Sequence, residues 1–230
     1  MPTDESGSTI AGVAFKNGAC TSCPLLIVFH GMGGSGEALA DSSQPARTFS
    51  TMHTLFQGIT VYPTIGHFAL PGLDGWSDNI RVVETIMAMP EVDPTRVYLQ
   101  GFSAGGFLLY SMACFMGNRL AAVVPLAALK EAPTTNAAYD PASCQRTNTL
   151  HIHNLNDNYN MVASEPRENA DGTTADMIGI PADLVNDWLA GGTGPAGSTS
   201  STAGTVNGLF THYSATADGL AYNYYGCVSQ

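Results

Sequence analysis

Residues 97–106 read VYLQGFSAGG: a short apolar run, then Phe-Ser-Ala between glycines, then a helical pattern through residue 116. Gly101-Phe102-Ser103-Ala104-Gly105 fits G-x-S-x-G between a strand and a helix, the context in which that pattern carries chemistry. The reason is steric. A serine held at a sharp strand-to-helix turn crowds the residues two positions away on either side, so those positions must be glycine. The following helix N-terminus then offers backbone N–H groups to a developing oxyanion. Ser103 is the candidate nucleophile; the competing reading is an ordinary glycine-serine turn.

Two further stretches support that nucleophile. FHGMGGSG (29–36) follows an apolar strand, LLIVF (25–29), and its glycines let the chain turn an N–H inward. The backbone N–H groups of Met32 and Ala104 are the expected oxyanion hole. A phosphate-binding loop does not fit, because neither G-x-x-x-x-G-K-[ST] nor G-x-G-x-x-G is present. His30, inside this stretch, is expected to be structural. LHIHNLND (150–157) reads as a strand ending at His153 and a polar loop carrying Asp157. A carboxylate after the nucleophile, in a loop after a later strand, suits the acid that orients a catalytic histidine; alternatively Asp157 caps a turn among asparagines. His151 and His153 alternate along a strand and share a face, and no third residue makes them a metal site.

The remaining pattern alternates strands and helices. A helix is expected over 46–57, a strand over GITVYP (58–63), a loop over 64–76 and a helix over 79–89 with Asp78 as its N-cap. DPTR (93–96) is read as a turn. AAVVPLA (121–127) and TLHIH (149–153) are strand candidates. Residues 191–208 are loop-like and low in complexity, and LFTHYSA and LAYNYYG form a closing pair of strands. The alternation predicts an α/β fold with a mostly parallel sheet and helices on both faces.

The 230 residues suffice for one domain with a substantial core, and 44% hydrophobic with 12% charged residues is a globular composition. A net charge of −11 with two lysines argues against nucleic acid or anionic lipid as partners. No apolar run reaches the length of a membrane span. The first ten residues, MPTDESGSTI, lack the basic and apolar regions of a signal peptide. Five cysteines (Cys20, Cys23, Cys114, Cys144, Cys227) and a Ser/Thr/Gly/Asn-rich makeup lean towards secretion, with one cysteine left over. Cys20-Thr-Ser-Cys23 precedes a strand and not a helix, so a local disulfide or structural thiol is expected over redox chemistry or zinc.

Taken in order, FHGMGGSG, YP, GW, DPTRVYLQGFSAGG, AAVVPLAA and LHIHNLND resemble the α/β-hydrolase serine esterases that include polyhydroxybutyrate depolymerases, feruloyl esterases and acetylxylan esterases. The resemblance spans about residues 25–190. It implies an α/β-hydrolase domain over 1–230, Ser103 as nucleophile, Asp157 as acid, Met32 and Ala104 as oxyanion donors, and no metal or organic cofactor. It implies a small-molecule or polymeric ester as partner (polyester, feruloyl or acetyl). Nothing marks a substrate-gating domain, which favours an esterase over a peptidase. Phe102, Trp76 and Phe68 are candidates for an acyl or aromatic pocket. Asn154 replaces the glycine usual before the acid loop, with an expected change in loop conformation. The family's histidine follows the last strand, near a "GH"; here the last strand reads GLAYNYYGCVSQ. Only His212 follows Asp157, and it precedes that strand. Three arrangements remain: a chain that stops short of its histidine, a base supplied by His212, or a hydrolase-fold protein that binds without turnover.

Overall fold

A computed structural model describes residues 11–41, 51–65, 76–131, 144–157, 166–168, 174–178, 181–190, 202–206 and 210–227. The elements are β1 (Gly12–Lys16), β2 (Cys23–Phe29), α1 (Gly36–Ala40), α2 (Met52–Leu55), β3 (Ile59–Pro63), α3 (Trp76–Met87), β4 (Val92–Phe102), α4 (Ala104–Met116) and β5 (Ala122–Leu126). They continue with β6 (Lys130–Glu131), β7 (Thr149–Asn154), β8 (Pro166–Glu168), β9 (Thr174–Ile178), α5 (Pro181–Ala190), β10 (Thr202–Val206), β11 (Phe210–Ala217) and β12 (Leu220–Cys227). Among the described residues the main sheet has nine strands in the order β1-β3-β2-β4-β5-β7-β12-β11-β10, and β6, β9 and β8 form a small second sheet. From β3 to β12 the neighbours run parallel; β1, β11 and β10 pair antiparallel.

The continuous apolar run in β2 follows from burial on both faces. Leu25, Ile27 and Phe29 pack with Val83 and Ile86 of α3 and Leu108, Leu109 and Met112 of α4. Leu26 and Val28 point the other way, to Leu39 and Ala40 of α1 and to Tyr62. The sheet is thus a central layer between helices. Its carboxyl edge, where β4, β5 and β7 end, carries the loops that hold Ser103 and Asp157.

Several sequence expectations are refined here. The helix expected from Asn79 begins at Trp76, so Asp78 lies inside its first turn, paired with Arg81, and is not the N-cap. β4 begins at Val92, but between the pairs Cys23↔Val92 and Leu25↔Val97 its chain bulges. That bulge is the DPTR turn: Asp93 accepts from Thr95 N–H at 3.0 Å and from Arg96 Nε at 2.7 Å. Of the helix expected over 46–57, Met52–Leu55 is helical and residues 42–50 lie outside the described residues. Residues 202–206, read as loop, form strand β10, because β11 supplies a partner for every residue from Thr202 to Val206. The closing strand pair is present, joined by Asp218-Gly219 with φ of 54° and 76°. Both positive values suit a two-residue hairpin turn.

Two disulfides tie the frame: Cys20–Cys23 at the entry to β2, and Cys114–Cys144 between α4 and the approach to β7. Cys227 is the unpaired cysteine. Arg146, with its side chain buried, reaches the last turn of α5 through the carbonyls of Trp188 (3.2 Å) and Leu189 (2.6 Å), and pairs with Asp218 in the hairpin turn. The Cys114–Cys144 bond closes a loop of 30 residues' separation. Replacing both by serine is expected to cost about 3–4 kcal/mol of unfolding free energy from chain entropy, measured by urea denaturation.

Candidate active site

Ser103 stands between β4 and α4 with φ 53° and ψ −119°. A non-glycine residue at positive φ in that region is strained, and the surrounding packing imposes it. A Cβ on Gly101 would strike the Gly105 backbone, and one on Gly105 would lie 2.7 Å from the His30 carbonyl oxygen. The two glycines flanking the serine are therefore required by close backbone approach. Ser103 N–H is bonded to Leu126 O of β5 at 2.9 Å, and Phe107 N–H to Ser103 O at 3.0 Å. The latter is the first helical hydrogen bond, so Ala104 N–H belongs to the first-turn donors that a helix cannot satisfy internally.

The loop after β2 presses against this turn. A Cβ on Gly31 would lie 3.4 Å from Ser103 Cβ and 3.3 Å from the Phe102 ring. His30 anchors the loop from beneath. Its Nε2 accepts from Ile65 N–H at 3.0 Å, so its proton sits on Nδ1, which donates to Gly31 O at 2.7 Å. Met32, next along, is 87% exposed, and Phe102, the residue before the serine, is 43% exposed. Phe68 and the Trp76 side chain lie outside the described residues.

Asp157 sits in the loop after β7, its side chain 16% exposed, with its N–H bonded to Asn154 O at 3.0 Å. Asn154 accepts from Asn156 N–H through its side chain at 2.9 Å, an Asx turn. Its φ is not positive, so this loop does not need the glycine usual at that point. His153 Nε2 lies 3.6 Å from Asp157 Oδ2.

His212 lies in β11, opposite Tyr225. Its Nε2 lies 3.1 Å from Asn223 Oδ1 and its ring stacks on Tyr225. Tyr225 pairs with Ile152, so the register puts His212 on the sheet face opposite His151 and His153. Among the described residues it contacts neither Ser103 nor Asp157. The structure thus brings the Gly31–Met32 loop, Ser103 and Ala104 together, sets Asp157 two strands away along the same edge, and keeps His212 on the sheet. Both ring nitrogens of His30 and His151 are hydrogen-bonded, and His153 meets His151 through Nδ1 with its Nε2 3.6 Å from Asp157 Oδ2; His67 lies outside the described residues. The described residues contain no group of three or more His, Cys, Asp or Glu able to hold a metal. A cavity of about 430 Å³ lined by Glu84, Met87, Pro94 and Arg119 lies at the amino edge of the sheet, away from Ser103.

Sequence reasoning gave His151 and His153 a common face but missed their partners. His151 Nδ1 bonds the Tyr110 hydroxyl, which lies 3.1 Å from that of Tyr222. Complete burial, then the neighbouring His153, hold the His151 pKa well below its ordinary value.

Two outcomes follow from this geometry. Gly105→Ala is expected to cost about 1–3 kcal/mol through overpacking, read as a lower denaturation midpoint. For His151, the folded state disfavours the proton that the unfolded state binds. Its contribution is complete above the ordinary histidine pKa of about 6.5 and is lost as pH falls below it, at up to about 1.4 kcal/mol per pH unit. Unfolding free energies at pH 7.5, 6.5 and 5.5 should show that slope, and His151→Phe should flatten it.

Comparison with known proteins agrees with this architecture. Residues 74–162 match the acetyl xylan esterase family model. Among solved structures, esterase PE8 superposes with a TM-score of 0.53 at 18% identity, covering 79% of this chain and 84% of that one. Est1E from Butyrivibrio proteoclasticus gives 0.52 at 18%, covering 69% and 79%. A thermostable esterase gives 0.52 at 13%, covering 78% of this chain, which spans 48% of that protein's length. No curated protein matches the chain in sequence. The chain has the α/β-hydrolase fold, and its central part, which carries the Ser103 turn and the Asp157 loop, is similar to the acetyl xylan esterases.

Proposed function

We propose that this chain is a serine carboxylic ester hydrolase acting on acetyl esters. The observation that carries the reading is Ser103 held at φ 53° where β4 enters α4, a strained conformation of the kind that clusters at active sites. Ser103 Oγ attacks the ester carbonyl. The N–H groups of Met32 and Ala104 receive the oxyanion, the alcohol leaves, and water releases the acid from the acyl-enzyme. Asp157 orients and stabilises the histidine that carries the proton. The family match supports acetyl over feruloyl or hydroxyalkanoate esters, and a polysaccharide such as xylan as their carrier. Exposed Met32 and Phe102 supply an apolar rim for the acyl or sugar face. Two disulfides suit an oxidising compartment, which supports secretion.

His212 supports a second reading. It is bonded to Asn223 on the sheet face opposite His153, which favours a protein that binds an ester or glycan without turning it over. Hydrolysis of p-nitrophenyl acetate and labelling by a fluorophosphonate separate the two. Ser103→Ala is expected to abolish both, and Asp157→Asn to lower turnover by about 10⁴-fold. Loss of turnover in His212→Ala would make His212 the base. Neither turnover nor labelling above the Ser103→Ala background would mean that this chain lacks a working triad.

A further inference from the structure

Beneath the acid loop runs a chain of buried polar groups that the steps above do not use. The Tyr222 hydroxyl lies 3.1 Å from that of Tyr110, the Tyr110 hydroxyl bonds His151 Nδ1, His151 Nε2 lies 3.1 Å from His153 Nδ1, and His153 Nε2 lies 3.6 Å from Asp157 Oδ2. The tyrosines and histidines are all buried. They come from α4, β7 and β12, and α4 is the helix that begins at the nucleophile.

The carboxylate fixes the direction of the protons. Ionised, Asp157 only accepts. A bare Nε2 lone pair on His153 would face that anion; an Nε2–H turns its positive end to it. A neutral His153 with its proton on Nε2 accepts at Nδ1, and His151 then donates from Nε2. His151 then accepts at Nδ1 from the Tyr110 hydroxyl, and Tyr110 accepts from Tyr222. Every donor points towards Asp157. At 3.6 Å the last contact is a dipole facing a charge, longer than a hydrogen bond; such contacts tighten when a site fills.

We propose that His153 is a positioning residue for Asp157, held in its Nε2–H tautomer by the donor chain Tyr222–Tyr110–His151. The proposal rests on reading Asp157 as the triad acid. The loop gives that carboxylate a turn through Asp157 N–H and Asn154 O; His153 adds a fixed dipole from below.

Two measurements test it. In ¹⁵N-labelled protein, long-range proton–nitrogen spectra of the imidazoles should show His151 and His153 both neutral and protonated on Nε2. Asp157→Asn should shift the His153 Nε2 resonance, and Ser103→Ala should leave it in place. An Nδ1–H tautomer at either ring, or a His153 signal indifferent to Asp157→Asn, overturns the proposal whether or not the protein is an esterase. In the p-nitrophenyl acetate assay, His153→Gln places an amide N–H near the former Nε2, whereas His153→Asn reaches only the Nδ1 position. The Asn variant is expected to lose on the order of 10–100-fold in kcat at unchanged KM, and the Gln variant to recover most of it, at equal denaturation midpoints. Equal kcat in the two variants overturns the proposal. Wild-type protein without Ser103-dependent turnover instead overturns the esterase reading and leaves the spectra to decide the role of His153.

Discussion

Three backbone segments meet around Ser103 with no room for a methyl group. β4 arrives at Gly101, α4 departs through Gly105, and β2 passes behind at Phe29 and His30. Their convergence forces the serine to positive φ, at a cost of about 1–3 kcal/mol. The core beside it holds that turn: β4 lies between β2 and β5, with α3 and α4 packed on one face. The His30 loop depends on the same approach. A bulkier residue at Gly105 would displace the chain that carries Met32, so the Ser103 turn and the loop beside it are set by one contact.

The parallel strands were legible because burial on both faces leaves an apolar run that few other structures produce. Helix α3 was legible as a helix but not in its start, since an acidic residue suits an N-cap and a first turn equally. β10 was illegible because its Thr-Ala-Gly-Thr-Val has little strand character of its own; pairing with β11 makes it a strand. β6, β8 and β9 are short; β8 and β9 pair as near neighbours in sequence, and β6 joins them only from a distant part of the chain. At the candidate site, the strained turn at Ser103 was legible because sterics write glycines on both sides of it, whereas the role expected of Asp157 rests on chain order alone. A histidine base leaves no local signature, since its position is set by how a loop returns to the edge of the sheet. The partners of His151 were hidden for a related reason: alternation reveals a face, but Tyr110 and Tyr222 reach it from a helix and a strand distant in sequence.

The polar chain under the acid loop also bears on how the two halves of the site stay aligned. Ser103 and Tyr110 lie on one helical unit, two turns apart, and Tyr110 is linked through His151 to the strand that ends beside Asp157. A shift of α4 along its axis would break a buried hydroxyl–imidazole bond, which is costly in a low-dielectric interior. The Ser103 turn and the Asp157 loop are therefore tied through the core as well as through the sheet.

The hairpin of β11 and β12 carries a consequence for assembly order. Its Asp218-Gly219 turn joins neighbouring strands, so it can close locally on a microsecond scale. The parallel pairing of β12 with β7 must wait until α5 and the intervening chain have been made and folded back. Until then β7 presents an open strand edge, the state in which a nascent chain is most exposed to pairing with another copy. Arg146, just before β7, grips the carbonyls at the end of α5 and the aspartate of the hairpin turn together. It thereby holds the late-arriving hairpin in register once that edge is covered.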